Sequence, residues 1–200
     1  MRYFSLTCVL ALTATFAGAQ DFPKAEICGG YSYGNIQVLS ENSSANGWNA
    51  SVTVNFYKWF GLTSDFSGLY GANGTETTTI PLLPPITETI QEKVTAKVHT
   101  FMFGPQFSLR RGRLQPLVHF LVGEARSNES GTITETGLPG PFVLNGHNSL
   151  VTSSGAFAAG GGLDYTLKKN LAWRVQADYL ALGTASDVRI STGIVFRLGR

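Results

Sequence analysis

The sequence is poor in charged residues. Asp, Glu, Lys and Arg make up 14% of its 200 residues, whereas a typical soluble domain has roughly a quarter. Hydrophobic residues make up 43% and aromatic residues 12%, which is too apolar for a chain without a folded core. Many apolar residues combined with few charges indicate a membrane protein.

Long hydrophobic runs are also lacking. After the first twenty residues, no stretch reaches the roughly 18 to 20 consecutive apolar residues that a membrane helix needs. The alternative way to satisfy the backbone in lipid is a closed barrel whose strands each span about 9 to 11 residues. We therefore predict that this chain crosses the membrane with strands.

The amino terminus has the pattern of a secretory signal peptide. A basic Met1-Arg2 precedes an apolar segment over residues 3–16, and Ala17-Gly18-Ala19 is a small-residue cleavage site. We predict a signal peptide over residues 1–19 and one barrel domain over residues 20–200. Cleavage removes Cys8 and leaves Cys28 as the one cysteine, so no internal disulfide is expected.

Metal, cofactor and nucleic-acid signals are weak. His99, His119 and His147 are far apart and lack zinc-ligand spacing, so we predict no metal site and no cofactor. Basic residues concentrate near short turns without an interleaved aromatic face, which argues against nucleic-acid binding.

The segment from Gly47 to Tyr70 carries the clearest structural signal. Over residues 48–56 the residues alternate strictly, with Trp48, Val52 and Phe56 on the apolar face. Residues 57–59 leave room only for a tight turn, and residues 60–70 form the returning strand. The opposite face carries small polar residues rather than the Lys and Glu of a water-facing sheet. We interpret this polar face as the filled interior of a narrow barrel and the apolar face as lipid-facing.

The same reasoning predicts eight strands. They cover residues 25–33, 48–56, 60–70, 93–108, 114–125, 151–165, 171–179 and 188–198. Tight turns alternate with long loops at residues 34–46, 71–92 and 126–150, and a moderate connection covers residues 182–187. This alternation is typical of an eight-stranded antiparallel up-and-down transmembrane β-barrel with short periplasmic turns and longer extracellular loops.

Charge is divided between the two predicted rims. The tight-turn rim is basic, with Lys24, Lys58, Arg110, Arg111, Arg113, Lys168, Lys169, Arg197 and Arg200. The long-loop rim is acidic, with Glu41, Glu76, Glu88, Glu92, Glu124, Glu129, Glu135 and Asp187.

Several motifs resemble those of a known family. They are Gly29-Gly30-Tyr31-Ser32-Tyr33, Gly47-Trp48-Asn49-Ala50-Ser51 leading to Asp65-Phe66-Ser67-Gly68, residues 103–108, and the closing pattern of Ser191, Gly193, Phe196 and Leu198. The chain is similar to the small eight-stranded outer-membrane barrels of Gram-negative bacteria, the OmpA/OmpX-like superfamily.

The resemblance implies location in the outer membrane, contact with its lipid and lipopolysaccharide, and recognition by the barrel-assembly machinery through the closing strand. It implies no specific activity. We expect a monomer.

Six charged residues are predicted to point into the barrel: Glu26, Asp65, Asp164, Arg174, Asp178 and Arg189. Short hairpins would place Asp164 opposite Arg174 and Asp178 opposite Arg189. One interpretation is a structural ion-pair network that plugs the barrel. The other is a gated path for ions or protons, although an eight-stranded interior is only wide enough for side chains to fill.

Three functions remain open. The first is a non-enzymatic surface protein that contributes to envelope structure and presents loops 34–46, 71–92 and 126–150 for contact or adhesion. The second is a narrow ion or small-solute channel, and the third is a soluble, lipocalin-like ligand-binding barrel. An enzyme is not expected, because His147-Asn148-Ser149 resembles the His-x-Ser of outer-membrane lipid A deacylases without their following Glu.

Overall fold

The chain forms a closed barrel of eight antiparallel strands. The computed structural model describes residues 22–38, 41–83, 86–136, 146–183 and 185–199; the predicted signal peptide lies outside these ranges. The strands are β1 (Ala25–Val38), β2 (Glu41–Asn55), β3 (Phe60–Leu83), β4 (Ile86–Ser108), β5 (Leu114–Thr136), β6 (Gly146–Lys168), β7 (Leu171–Leu182) and β8 (Ala185–Leu198). Consecutive strands pair, and β1 pairs with β8 to close the barrel. The predicted fold class is confirmed.

The described residues contain no helix that is long and apolar enough to cross a membrane. At one rim the connections are tight, as predicted. Residues 56–59 join β2 to β3, residues 109–113 join β4 to β5, and residues 169–170 join β6 to β7. Gly112 has a positive φ of 70°, a conformation that glycine adopts without the steric penalty of a side chain.

The long loops predicted at the other rim are largely wrong. β1 continues to Val38 and β2 begins at Glu41, while the β3–β4 ladder continues to Leu83 paired with Ile86. β5 and β6 remain paired up to Ile133 and Gly146. Thr favours strands, but a segment that is polar on both faces lacks the alternation by which strands are recognised. The predicted connection over residues 182–187 is also shorter, because β7 ends at Leu182 and β8 begins at Ala185.

Proline was expected to end the β3 ladder, yet Pro81 still lies opposite Thr87, next to a register shift between Pro81 and Leu83. Proline is tolerated there because β3 is an edge strand at this height and its missing N–H faces no partner strand. Residues 39–40, 84–85 and 137–145, which complete the three predicted loops, and residue 184 of the predicted connection lie outside the described residues.

Four strands extend beyond the rest. The β2–β3 ladder ends at Asn46 paired with Tyr70, and the β6–β7 ladder ends at Ala156 paired with Leu182. Beyond those pairs, β3, β4, β5 and β6 stay hydrogen-bonded to one another. A bulge at Gly71, with φ of 88°, marks where β3 leaves β2. We call residues 72–83, 86–96, 129–136 and 146–155 the protruding sheet.

The outward face of the barrel is apolar and the inward face is filled. Val52, Phe103 and Phe120 are 43%, 55% and 50% exposed, whereas Asn49, Ser51 and Thr53 on the inward face are buried. Exposed aromatic residues form two girdles, Tyr57, Trp59 and Trp173 near the tight turns and Tyr31, Trp48 and Tyr179 toward the other rim. This pattern is typical of a barrel that spans a membrane.

The interior has two different halves. Near the tight turns it is filled by charged and polar side chains. Toward the other rim it is filled by apolar clusters that include Leu69, Val98, Met102, Leu121 and Leu180. Sequence analysis predicted the polar inward face of the segment from Gly47 to Tyr70, whereas the apolar half of the interior is a finding of the structure.

Candidate functional site

All six residues predicted to point into the barrel do so, and each is at most 3% exposed. They separate into two clusters at different heights. The lower cluster, nearer the tight turns, contains Glu26, Asp164 and Arg174. The upper cluster contains Asp65, Asp178 and Arg189.

The lower cluster is centred on a bidentate ion pair. Arg174 lies directly opposite Asp164 on β6 and β7. Its Nε is 2.7 Å from Asp164 Oδ1, and its Nη2 is 3.0 Å from Asp164 Oδ2 and 3.4 Å from Glu26 Oε2. Planar guanidinium and carboxylate groups match in this arrangement, which is the strongest geometry for such a pair.

Two further arginines complete the lower cluster, and sequence reasoning placed both at the rim. Arg197 is 2% exposed, and its Nη2 donates to Asp164 Oδ2 at 3.0 Å and to Gln115 Oε1 at 3.0 Å. Arg110 reaches inward from the turn after β4, and its Nη2 donates to Glu26 Oε1 at 3.2 Å and to Asn55 Oδ1 at 2.9 Å. The alternation of β8 could have shown that Arg197 points inward, because it is separated from the inward-facing Arg189 by an even number of positions.

The upper cluster connects four strands, β3, β5, β7 and β8, that are not all neighbours. Arg189 Nε and Nη2 donate to Asp178 Oδ2 at 3.0 and 2.8 Å, across the β7–β8 pair. Arg189 Nη1 donates to Asp65 Oδ1 on β3 at 2.8 Å. His119 on β5 also points inward, and its Nε2 is 2.8 Å from Asp178 Oδ1. His119 was not assigned to a charged network at the sequence level.

The two clusters carry different formal charges. The lower cluster holds three arginines and two carboxylates, and the upper cluster holds one arginine, two carboxylates and a histidine. The four arginines therefore match the four carboxylates only when both clusters are taken together. A buried charge is costly unless it is paired, and every carboxylate in these clusters has at least one cationic partner.

Asp187 was predicted at the long-loop rim and is instead 5% exposed in the interior. Its Oδ1 accepts a hydrogen bond of 2.8 Å from the backbone N–H of Asn35, and its Oδ2 has no partner among the described residues. Alternation with Arg189 in β8 is the signal that indicates its inward direction.

Large buried apolar side chains lie next to the two clusters, on the side of the far rim. Above them, Leu69, Met102, Leu121 and Leu180 are each at most 1% exposed, and this layer separates the charged half from the far rim. We call these four residues the apolar seal.

The geometry matches a known class of protein. The sequence profile described as "Outer membrane protein beta-barrel domain" matches residues 4–199. The chain belongs to this family. It is therefore an outer-membrane protein, and its apolar outward face contacts lipid. The soluble lipocalin-like alternative is wrong, because such a barrel would have its apolar face inside.

Two solved structures illustrate the similarity. Ail, the attachment invasion locus protein of Yersinia pestis, crystallised with the heparin analogue sucrose octasulfate, is 16% identical with a TM-score of 0.55, over 87% of this chain and 97% of Ail. Neisserial surface protein A is 8% identical with a TM-score of 0.50, over 90% of this chain and 100% of the other. At these identities the likeness shows the fold alone. No curated protein matches the chain.

Proposed function

We propose that this protein is a non-enzymatic surface protein of the outer membrane whose protruding sheet makes contact with polyanionic surfaces outside the cell. The observation that carries the proposal is the height of this sheet. β3 continues for twelve residues from Ala72 to Leu83 beyond its last pair with β2, which corresponds to about 40 Å of strand. In this class of barrel the rim opposite the tight turns is extracellular.

A basic strip runs up the outward face of the barrel mouth and onto the protruding sheet. Lys93 and Lys97 lie on β4, and Arg126 lies on β5 next to His99. All three cationic side chains are exposed, and none forms an ion pair with another described residue. Glu124 is the acidic residue on the same face, below Arg126. Cations without partners on an exposed face attract anionic groups.

The opposite face of the same sheet carries acidic side chains. Glu76 and Glu92 lie directly opposite each other on β3 and β4, and Glu129 lies opposite Ala96. Adjacent like charges repel, so this face does not attract a polyanion. The separation of charge predicts which face makes contact.

The sheet also has two open edges. Beyond Asn73, β3 has no ladder partner on its β2 side among the described residues, and neither does β6 before Ala156 on its β7 side. Open edges can pair with an extended peptide. The Ail complex supports the polyanion form of the proposal, because that protein shares the fold and was crystallised with a heparin analogue.

The test uses intact cells that display the protein, with a heparin-coated surface as the probe. We expect Lys93→Glu together with Lys97→Glu to reduce retention about tenfold, and high salt to weaken retention by the wild type. The matched control is Arg111→Glu with Arg113→Glu, which makes the same charge change at the periplasmic rim. Equal retention of the wild type and the Lys93/Lys97 variant contradicts the proposal.

A heat-dependent shift of electrophoretic mobility in SDS verifies that each variant is folded. The remaining role, a contribution to envelope structure, predicts sensitivity of cells to detergent when the protein is deleted. Resistance to detergent should be restored equally by the wild type and by the Lys93/Lys97 variant.

A further inference from the structure

The extracellular mouth of the barrel contains a cup of about 350 Å³. Ile36, Val98, Ala125 and Leu182 give it an apolar floor, and Ser127 and Glu129 belong to its polar wall. These residues come from β1, β4, β5 and β7, so the cup exists only in the closed barrel. It lies on the inner face of the protruding sheet, opposite the basic strip.

The cup is blind. The apolar seal lies beneath it, and Leu182 packs against both apolar clusters of the interior. A ligand can therefore enter from the extracellular side and go no further. Its apolar part would leave water and contact the floor, which is the usual source of affinity in a small concave site.

Glu129 supplies the charge of the cup wall. Its Oε1 accepts a long hydrogen bond of 3.4 Å from Ser127 Oγ, and it forms no ion pair with any described residue. Glu92 and Glu76 lie further up on the same face, whereas Lys93 and Lys97 point away from it. The potential around the cup is therefore negative.

We infer that the cup binds a small amphiphilic cation, in which an ammonium group is attached to an apolar body of a few carbon atoms. The ammonium donates to Glu129 at the wall, and the alkyl part packs on Ile36, Val98 and Leu182. An anion is disfavoured by the surrounding carboxylates. A metal ion alone would leave the floor unused, and no group of three ligating side chains occurs among the described residues.

This inference is independent of the proposed surface contact, because the cup and the basic strip lie on opposite faces of the sheet. The experiment uses mature protein in lipid nanodiscs, with empty nanodiscs subtracted for partitioning into lipid. The probes are hexylammonium, hexanol and hexanoate, which share an alkyl chain and differ in charge. Binding is measured by titration calorimetry.

We expect hexylammonium to bind about tenfold more tightly than hexanol, and hexanoate more weakly than either. Glu129→Gln should reduce the affinity for hexylammonium to that for hexanol. Glu124→Gln removes an equal charge from the outward face and should have no effect. Ala96 also lines the cup, so Ala96→Leu, which fills it, should abolish the binding of hexylammonium and hexanol alike.

Equal affinity for hexylammonium and hexanol overturns the inference, as does hexylammonium binding that survives both Glu129→Gln and Ala96→Leu. The heat-dependent mobility shift separates these outcomes from misfolding. Because Glu129→Gln changes an exposed side chain, its folding should match that of the wild type, so the charge test stands even if Ala96→Leu fails to fold.

Discussion

The two halves of the barrel interior are held together by different interactions, ion pairs in one half and apolar packing in the other. In the periplasmic half, Arg174, Arg189 and Arg197 are held by carboxylates at 2.7 to 3.0 Å, and each interaction depends on direction. In the extracellular half, Leu69, Met102, Leu121 and Leu180 pack without directional bonds. The side-chain geometry of the charged half is therefore fixed by its ion pairs, and these side chains have little freedom to rearrange. Because apolar packing is not directional, the apolar half can border the open cup above it without losing a specific bond.

The largest expected effect comes from breaking the upper cluster. Arg189→Met removes the cation shared by Asp65 and Asp178 and leaves buried carboxylates with too little compensation. We expect a loss of about 3 to 5 kcal/mol in the free energy of unfolding, measured by urea titration in lipid vesicles. Arg126→Met on the outward face is the matched control and should change stability by less than about 0.5 kcal/mol. A small loss for Arg189→Met would mean that the clusters do not hold the fold together.

The next effect tests the apolar seal. Leu121→Ala should cost about 2 to 4 kcal/mol, because the surroundings cannot fully close around the deleted methyl groups. In planar bilayers the wild type should show no steady conductance, and widening the seal with Leu69→Ala, Met102→Ala and Leu121→Ala should introduce a leak. Steady conductance of the wild type that changes in Arg174→Met or Arg189→Met would instead support the channel interpretation.

The smallest effect concerns His119, which lies in the upper cluster beside Asp178. His119→Leu replaces the imidazole by an apolar side chain of similar volume and removes the partner of Asp178 Oδ1. We expect a loss of about 1 to 3 kcal/mol, the cost of leaving a buried acceptor unsatisfied. His99→Leu on the outward face is the control, and urea unfolding checks both. A similar loss of stability for the two variants would show that the contact of His119 with Asp178 does not stabilise the barrel.

The strand order and the facing of side chains could be predicted because both depend on local pattern. Alternation around Trp48 and Val52 assigned the two faces, and short hairpins placed Asp164 beside Arg174 and Asp178 beside Arg189. The long strand extensions were missed because Thr-rich segments are polar on both faces. Arg197 and Asp187 were placed at the rims although the alternation of β8 directs both inward.

The sequence by itself determined an antiparallel barrel with a lipid-facing outside, because a period of two residues needs no knowledge of distant contacts. Only the tertiary structure decided which charges meet across the interior. Asp65 on β3 contacts Arg189 on β8, and Glu26 on β1 contacts Arg174 on β7, although the strands of each pair are not neighbours. The cup likewise needs residues from five strands at one height. These contacts depend on how the closed barrel sets the relative heights of its strands, a property of the whole ladder rather than of any one segment.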